Sequence, residues 1–109
     1  MKIYISLPIS SRPIEEARDH ADLVKAMLSW KGHEVINPFD IPCSKSNPEW
    51  IDWICSDLPV LYKADAICLC EGWEHSTGCR IEANFAQEFK KQFMYERQPQ
   101  EPSEYYFER

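Results

Sequence analysis

Ala66-Ile67-Cys68-Leu69-Cys70 is an unbroken apolar run held between Asp65 and Glu71-Gly72. A strand with one wet face alternates apolar and polar side chains, so a run with no alternation reads as a strand covered on both faces, the pattern of a parallel sheet. It is far shorter than the ~20 residues that cross a bilayer. Working outward, Ile3-Tyr4-Ile5 is a second β-prone segment, followed by the loop Ser6-Leu7-Pro8-Ile9-Ser10-Ser11-Arg12-Pro13. From Pro13, apolar residues recur at Ile14, Ala17, Ala21, Val24 and Leu28, one stripe along a helix that Gly32 stops. Glu34-Val35-Ile36 is a further strand. The loop from Asn37 runs to Asn47, where a second helix is expected to be capped ahead of Pro48, with Trp50, Trp53, Ile54, Leu58 and Leu61 packed on one side. Pro59 is expected to kink that helix or restart it near Asp57. Downstream, Glu71 to Thr77 form a loop, Ile81, Phe85 and Phe89 mark a third helix, and Gln92-Phe93-Met94-Tyr95 is a fourth strand.

Strands alternating with helices over short links give right-handed crossovers and a parallel sheet sandwiched between helices. The sequence therefore predicts an α/β, three-layer fold with four to five strands. Ligands in such sheets bind beyond the carboxyl ends of the strands, which points to the loops 6–12, 37–47 and 71–77. With 109 residues there is room for one domain, placed at residues 1–97, with 98–109 as a tail. The cluster Tyr105-Tyr106-Phe107 marks that tail as frayed or docked on a partner subunit.

Twelve basic against eighteen acidic residues leave a net charge of −6, which argues against binding a nucleic-acid polymer or an acidic membrane surface. The five cysteines are odd in number and irregularly spaced, and the chain opens without a charged and apolar leader; both read as free thiols in a cytoplasmic protein. Glycines stand only at 32, 72 and 78, so neither G-x-G-x-x-G nor the P-loop can be written. Cys68 with Cys70 and His75 with Cys79 are the nearest approach to metal-ligand spacing, and inert buried cysteine is the commoner outcome; no metal or cofactor is expected.

What remains are carboxylates in unusual surroundings. Glu82 lies one turn inside the third helix, beside the apolar stripe and four residues after Gly78, whose small size would let a ligand approach. Its side chain points back toward the helix amino end, where the dipole favours ionisation and partial burial opposes it. Such a group can serve as a nucleophile; the competing reading is an exposed glutamate paired with Arg80. Asp57 sits at the edge of the second helix's apolar stripe, either as a site residue or as the cap of a restarted helix. Tyr4 could turn its hydroxyl toward the strand ends, although a core tyrosine is commoner. Trp73 could stack on a base, although Trp30, Trp50 and Trp53 suggest that tryptophan serves packing in this chain. Ser76 is a helix cap that could also hold a phosphate or sugar hydroxyl.

Taken in order, Lys2-Ile3-Tyr4-Ile5-Ser6-x-Pro8-Ile9, Gly32-His33-Glu34-Val35-x-Asn37-Pro38-Phe39-Asp40, Asp57-Leu58, Ala64-Asp65-Ala66 and Gly72-Trp73-Glu74-x-Ser76-x-Gly78-x-Arg80-x-Glu82-Ala83 resemble the nucleoside 2-deoxyribosyltransferase-like superfamily over nearly all of residues 1–95. The resemblance implies a flavodoxin-like (Rossmann-like) fold and cleavage of the N-glycosidic bond of a deoxynucleoside or its monophosphate, by transfer or hydrolysis. It implies Glu82 as nucleophile, Asp57 orienting it or protonating the departing base, and Tyr4 positioning it. It places Ser6, Pro8, Ile9, Asn37, Asp40, Gly72, Trp73, Ser76 and Gly78 around the substrate, and Arg12, the one arginine of the first loop, is a candidate for a 5′-phosphate. It also implies a homodimer or larger homo-oligomer. Two departures stand out: Leu7 where the family usually has glycine, narrowing the pocket, and Pro59 directly after Asp57-Leu58. They motivate the alternative of a non-catalytic module that binds a nucleotide or an ADP-ribose-like ligand.

Overall fold

The computed structural model describes residues 1–10, 12–96 and, as a short strand, 107–108. The order of elements is β1 (Lys2–Ser6), α1 (Ile14–Trp30), β2 (Glu34–Ile36), α2 (Trp50–Tyr62), β3 (Ala66–Leu69), α3 (Thr77–Glu88), β4 (Gln92–Glu96) and β5 (Phe107–Glu108), with single 3-10 turns at Pro38–Asp40 and Trp73–His75. The sheet order is β2-β1-β3-β4-β5. The first four strands are mutually parallel and β5 runs antiparallel to β4. This is the expected α/β sandwich. Tyr105 and Tyr106 lie outside the described residues, as does most of the tail. Among the described residues, no helix is long and apolar enough to cross a membrane.

The unbroken apolar strand is explained by its position. β3 is central and every residue in it is buried. On one face Ile3, Ile5, Ala66, Cys68 and Met94 pack under Ala21, Val24 and Leu28 of α1. On the other, Tyr4, Ile67 and Leu69 meet Leu61 of α2 and Ala83 and Ala86 of α3. Successive strand residues therefore serve opposite cores, as the period of two requires.

Several local expectations change. α2 begins at Trp50 with Glu49 as its cap, because Glu49 and Asp52 bond each other's backbone reciprocally in a capping box; Asn47 takes no part. Pro59 neither restarts nor ends α2, which runs through to Tyr62. A proline removes only one backbone donor, and here the tertiary packing of Ile54 and Leu61 spans the gap. Asp57 is thus a helix-interior residue and caps nothing. In α3 the buried face is Cys79, Glu82, Ala83 and Ala86. The larger Phe85 and Phe89 sit to the side, meeting Tyr62 edge-on with ring centroids 6.5 and 5.1 Å away. Small residues let the helix lie close on the sheet, and that close approach carries Glu82 inward. Of the four tryptophans only Trp73 packs against the core; Trp30 is 90% exposed, and Trp50 and Trp53 are about half exposed.

Candidate functional site

The site is built at the carboxyl end of β1, opposite the first turns of α3. Ser76 caps α3 by accepting from the Cys79 backbone N–H. Glu82 then projects from the buried face onto β1, only 5% exposed. The Tyr4 hydroxyl donates to its Oε2 at 2.6 Å and the Ser6 hydroxyl to its Oε1 at 2.6 Å. Tyr4 and Ser6 share a face of the strand because they are two residues apart. Both oxygens of the carboxylate are thereby fixed, and both hydrogen bonds are short and charge-assisted.

Asp57 of α2 faces the same carboxylate. Burial pushes Glu82 up to about 7, against the lowering effect of the Ser6 and Tyr4 hydrogen bonds, and the nearby charge of Asp57 raises it further. Asp57 is pushed up to about 6, again by burial, while hydrogen bonding to Tyr4 and Glu82 works the other way. Tyr4 is held well above its ordinary range by burial and then by the charge of Glu82, so it stays a donor. Two carboxyls this close titrate as a unit, losing one proton near 6 and the other near 7. Although the higher value falls on Glu82, its two oxygens both accept hydroxyl protons, an arrangement only the ionised carboxylate uses fully. The two hydroxyl donors thus favour an ionised Glu82, while burial and the hydrogen bond with Asp57 favour its protonated form; a reactive singly protonated pair is the one with the proton on Asp57.

Beside the pair lies a cavity of about 480 Å³. Glu82, Asp57 and Tyr4 form its polar end; Leu7, Ile9, Phe39, Trp50, Trp53 and Ile54 give it apolar walls; Ser10, Ser76 and Gly78 stand on its flank. At Gly78 α3 passes close to α2, and a Cβ there would meet Ile54 Cδ1 at 3.4 Å, an ordinary contact. Leu7 lines the cavity, yet it is also buried in the core under α1. The Cys79 thiol, also on the wall, is pushed up by burial.

The structure brings Glu82, Asp57, Tyr4, Ser6, Ile9, Ser76 and Gly78 together, and sets the other sequence-derived candidates apart from the cavity. Pro8 packs against Gly72, whose φ of +88° suits glycine. Trp73 leans on Tyr95, with centroids 6.3 Å apart. Asn37 accepts from the Phe39 backbone and donates to Asp22 at 3.1 Å; Asp40 pairs with Lys25 at 3.3 Å. These bonds shape the turn that presents Phe39. Sequence reasoning had missed Arg18, Phe39, Trp50, Trp53 and Ile54 as wall residues. The available signal was the crowding of aromatics into the first turn of α2, which overhangs the strand ends.

Arg12 belongs to a different cluster, under α1. Its guanidinium lies 2.7 Å from His20 Nδ1, and His20 Nε2 lies 2.8 Å from Glu96 Oε1. Glu96 also accepts from the Glu71 backbone N–H at 3.0 Å. His20, Cys70 and Glu96 offer three possible metal-ligand atoms within 4.8 Å of one another. Their hydrogen bonding describes a proton network instead, in which Arg12 Nε alone has no partner among the described residues. Arg12 can only donate, so Nδ1 accepts and Nε2 carries the proton it gives to Glu96; a metal on Nε2 would require a proton on Nδ1, facing the guanidinium. The Cys70 thiol is held well above its ordinary range by hydrogen bonding with Cys68, by burial and by the neighbouring charge of Glu96.

The chain belongs to the family described as domain of unknown function DUF4406, whose model matches residues 1–95. No curated protein matches it. Among solved structures, it is similar to a 2-deoxyribosyltransferase from Leishmania mexicana, at a TM-score of 0.65 and 18% identity over 86% of this chain and 62% of that one. It is also similar to the CMP N-glycosidase BcmB of Clostridium botulinum, at 0.58 and 16% over 87% and 67% of the two chains. The chain thus spans less than two thirds of the length of the first. The likeness is one of fold, a flavodoxin-like parallel α/β arrangement.

Proposed function

We propose that this protein cleaves the N-glycosidic bond of a nucleoside or nucleoside monophosphate through Glu82. The observation that carries the reading is a buried carboxylate with both oxygens held by hydroxyls, a second carboxyl beside it, and a cavity of nucleoside size at its side. A Glu82 oxygen attacks the anomeric carbon as the C1′–N bond breaks. The bond's electron pair leaves with the base, which takes the proton held by Asp57, and a glycosyl ester remains on Glu82. Water or a second base then attacks the same carbon and frees the carboxylate, with Asp57 receiving the proton of the incoming group. The carboxylate is well suited to meet the positive charge that develops on the sugar, because it is buried beside apolar walls and its donors are already in place.

The fold neighbours support this reading, one named for deoxyribosyl transfer and the other for CMP N-glycosidase activity. All five cysteines are free, which fits the cytoplasmic setting expected from the sequence. The expected homo-oligomer would cover the rim formed by half-exposed Trp50, Ile51 and Trp53; a monomer mass by light scattering removes that part of the reading. The decisive experiment is chromatography of nucleosides and nucleoside monophosphates after incubation with the protein. Free base appears with the wild type and not with Glu82→Gln. Intact substrates throughout, with calorimetric binding unchanged in Glu82→Gln, would leave the non-catalytic binding module in its place.

A further inference from the structure

Among the described residues, Arg18 is the one arginine or lysine on the cavity wall, and its guanidinium carbon lies over Phe39, 4.8 Å from the ring centroid. No hydrogen bond or ion pair holds it among the described residues. On a helix its natural partner is four residues on, and Asp22 stands there, but Asn37 donates to Asp22 at 3.1 Å. The next acid along that side, Asp40, is taken by Lys25. The turn at Pro38–Asp40 thus offers Arg18 an aromatic face to rest on while its acidic neighbours are engaged elsewhere. A guanidinium stacked in this way keeps a rigid fork of N–H donors in its own plane and free at the edge.

Phe39, Trp50 and Trp53 line the same cavity, so the space beside Arg18 is bounded by aromatic rings and fits a flat, aromatic group. The sugar must lie by Glu82, and the hydroxyl-bearing flank of Ser10 and Ser76 continues into a shallower pocket that Arg18 and Phe39 do not line. The base is the part of a nucleoside left to meet Arg18.

We propose that Arg18 is a specificity-determining residue that reads the leaving base through two adjacent in-plane acceptors, which makes the preferred substrate a 6-oxopurine nucleoside, carrying guanine or hypoxanthine. This rests on the N-glycosidic reading above. The fork matches O6 and N7 of such a base, whereas adenine presents an amino donor beside N7 and repels one prong. The same contact draws electron density from the base as the C1′–N bond breaks, while the proton from Asp57 goes to N3, the acceptor nearest the sugar.

The test measures kcat/KM for the deoxynucleosides of hypoxanthine, guanine, adenine and cytosine, each with and without a 5′-phosphate, in wild type, Arg18→Met and Arg18→Lys. In wild type the 6-oxopurines lead. Arg18→Met loses roughly ten- to hundredfold on them and changes little on adenine, and Arg18→Lys, which keeps the charge and loses the fork, does not restore the preference. An equal loss on every base, no 6-oxopurine preference in the wild type, or a loss confined to 5′-phosphorylated substrates would each overturn the proposal; the last would make Arg18 a phosphate ligand. Calorimetry with free hypoxanthine and adenine separates this inference from the reaction itself. If nothing is cleaved but hypoxanthine binds more tightly than adenine, and only while Arg18 is present, the reaction is wrong and the recognition stands. Equal binding of the two bases, or no binding, sinks the recognition as well.

Discussion

Two polar clusters lie on opposite faces of one sheet, and the contrast between them locates the chemistry. Under α1, Arg12, His20 and Glu96 form a chain in which charge is balanced, the Glu71 backbone is satisfied and no described cavity opens on it. Under α2 and α3, Glu82 and Asp57 are two carboxyls with only hydroxyl donors between them, facing open space. Both clusters are largely buried, but in the first the cationic and anionic groups face each other, with Arg12 Nε alone left without a hydrogen-bond partner among the described residues, whereas the second lacks a positive group that a developing oxocarbenium ion would supply. Buried polar residues with matched partners hold a fold together; those left mismatched beside a cavity are suited to act on something else.

The comparison is broken most severely at Glu82. Glu82→Gln is expected to lower kcat by about a thousandfold or more while the melting temperature holds or rises, because a buried charge is removed and the side-chain shape kept. Comparable loss of stability and activity would mean that the residue is structural. The opposite outcome is expected across the sheet. Glu96→Ala leaves the His20 and Glu71 N–H groups without their acceptor and is expected to cost about 3 kcal/mol in urea unfolding, with kcat changed less than about threefold.

A third experiment follows stability against pH. Both carboxyls have their values raised by burial, to about 7 and about 6, so between their unfolded range and those values the native chain holds more protons than the unfolded one. Stability therefore falls as pH rises through that window, by about 5 kcal/mol from pH 4.5 to 7.5 for the two groups together before solvent screening trims the share of the part-exposed Asp57, and the slope flattens in Glu82→Gln. The same pair makes kcat/KM bell-shaped, greatest between pH about 6 and about 7 where one proton is shared, with activity lost below as Glu82 is protonated and above as Asp57 is ionised. A flat profile across that range would separate Asp57 from proton transfer. The smallest effect is sought at Tyr4. Tyr4→Phe removes one of two hydroxyl bonds to Glu82 and is expected to lower kcat roughly tenfold and to move the acid limb upward, since a hydrogen bond that favours the ionised form is lost.

How much of this was legible in the sequence depended on the range of the signal. The apolar run at Ala66 to Cys70 and the helical spacing in α1 gave the layer order, because periodicity records which faces are covered. Glu82 and Asp57 stood out as carboxylates at the margins of apolar stripes. Trp50 and Trp53 were misplaced for the same reason: a stripe shows which side chains share a face, and at the start of α2 that face overhangs the strand ends and meets a cavity instead of a core. Asn37, Asp40 and Arg12 carry polar groups in loops at the site end of the sheet. Only their partners, Asp22, Lys25 and His20, all on α1, show them to be holding neighbouring structure.

The sequence by itself determined the α/β sandwich and the acids worth following, since burial patterns are written in the local order of residues. Tertiary structure alone decided that α3 lies close on the sheet through Cys79, Ala83 and Ala86, that this carries Glu82 to the hydroxyls of Tyr4 and Ser6, and that Arg18 rests on Phe39 with no hydrogen-bond partner among the described residues. Those outcomes turn on distances between residues as many as 78 positions apart, and a carboxylate's charge and a cation's freedom depend on such neighbours rather than on adjacent sequence.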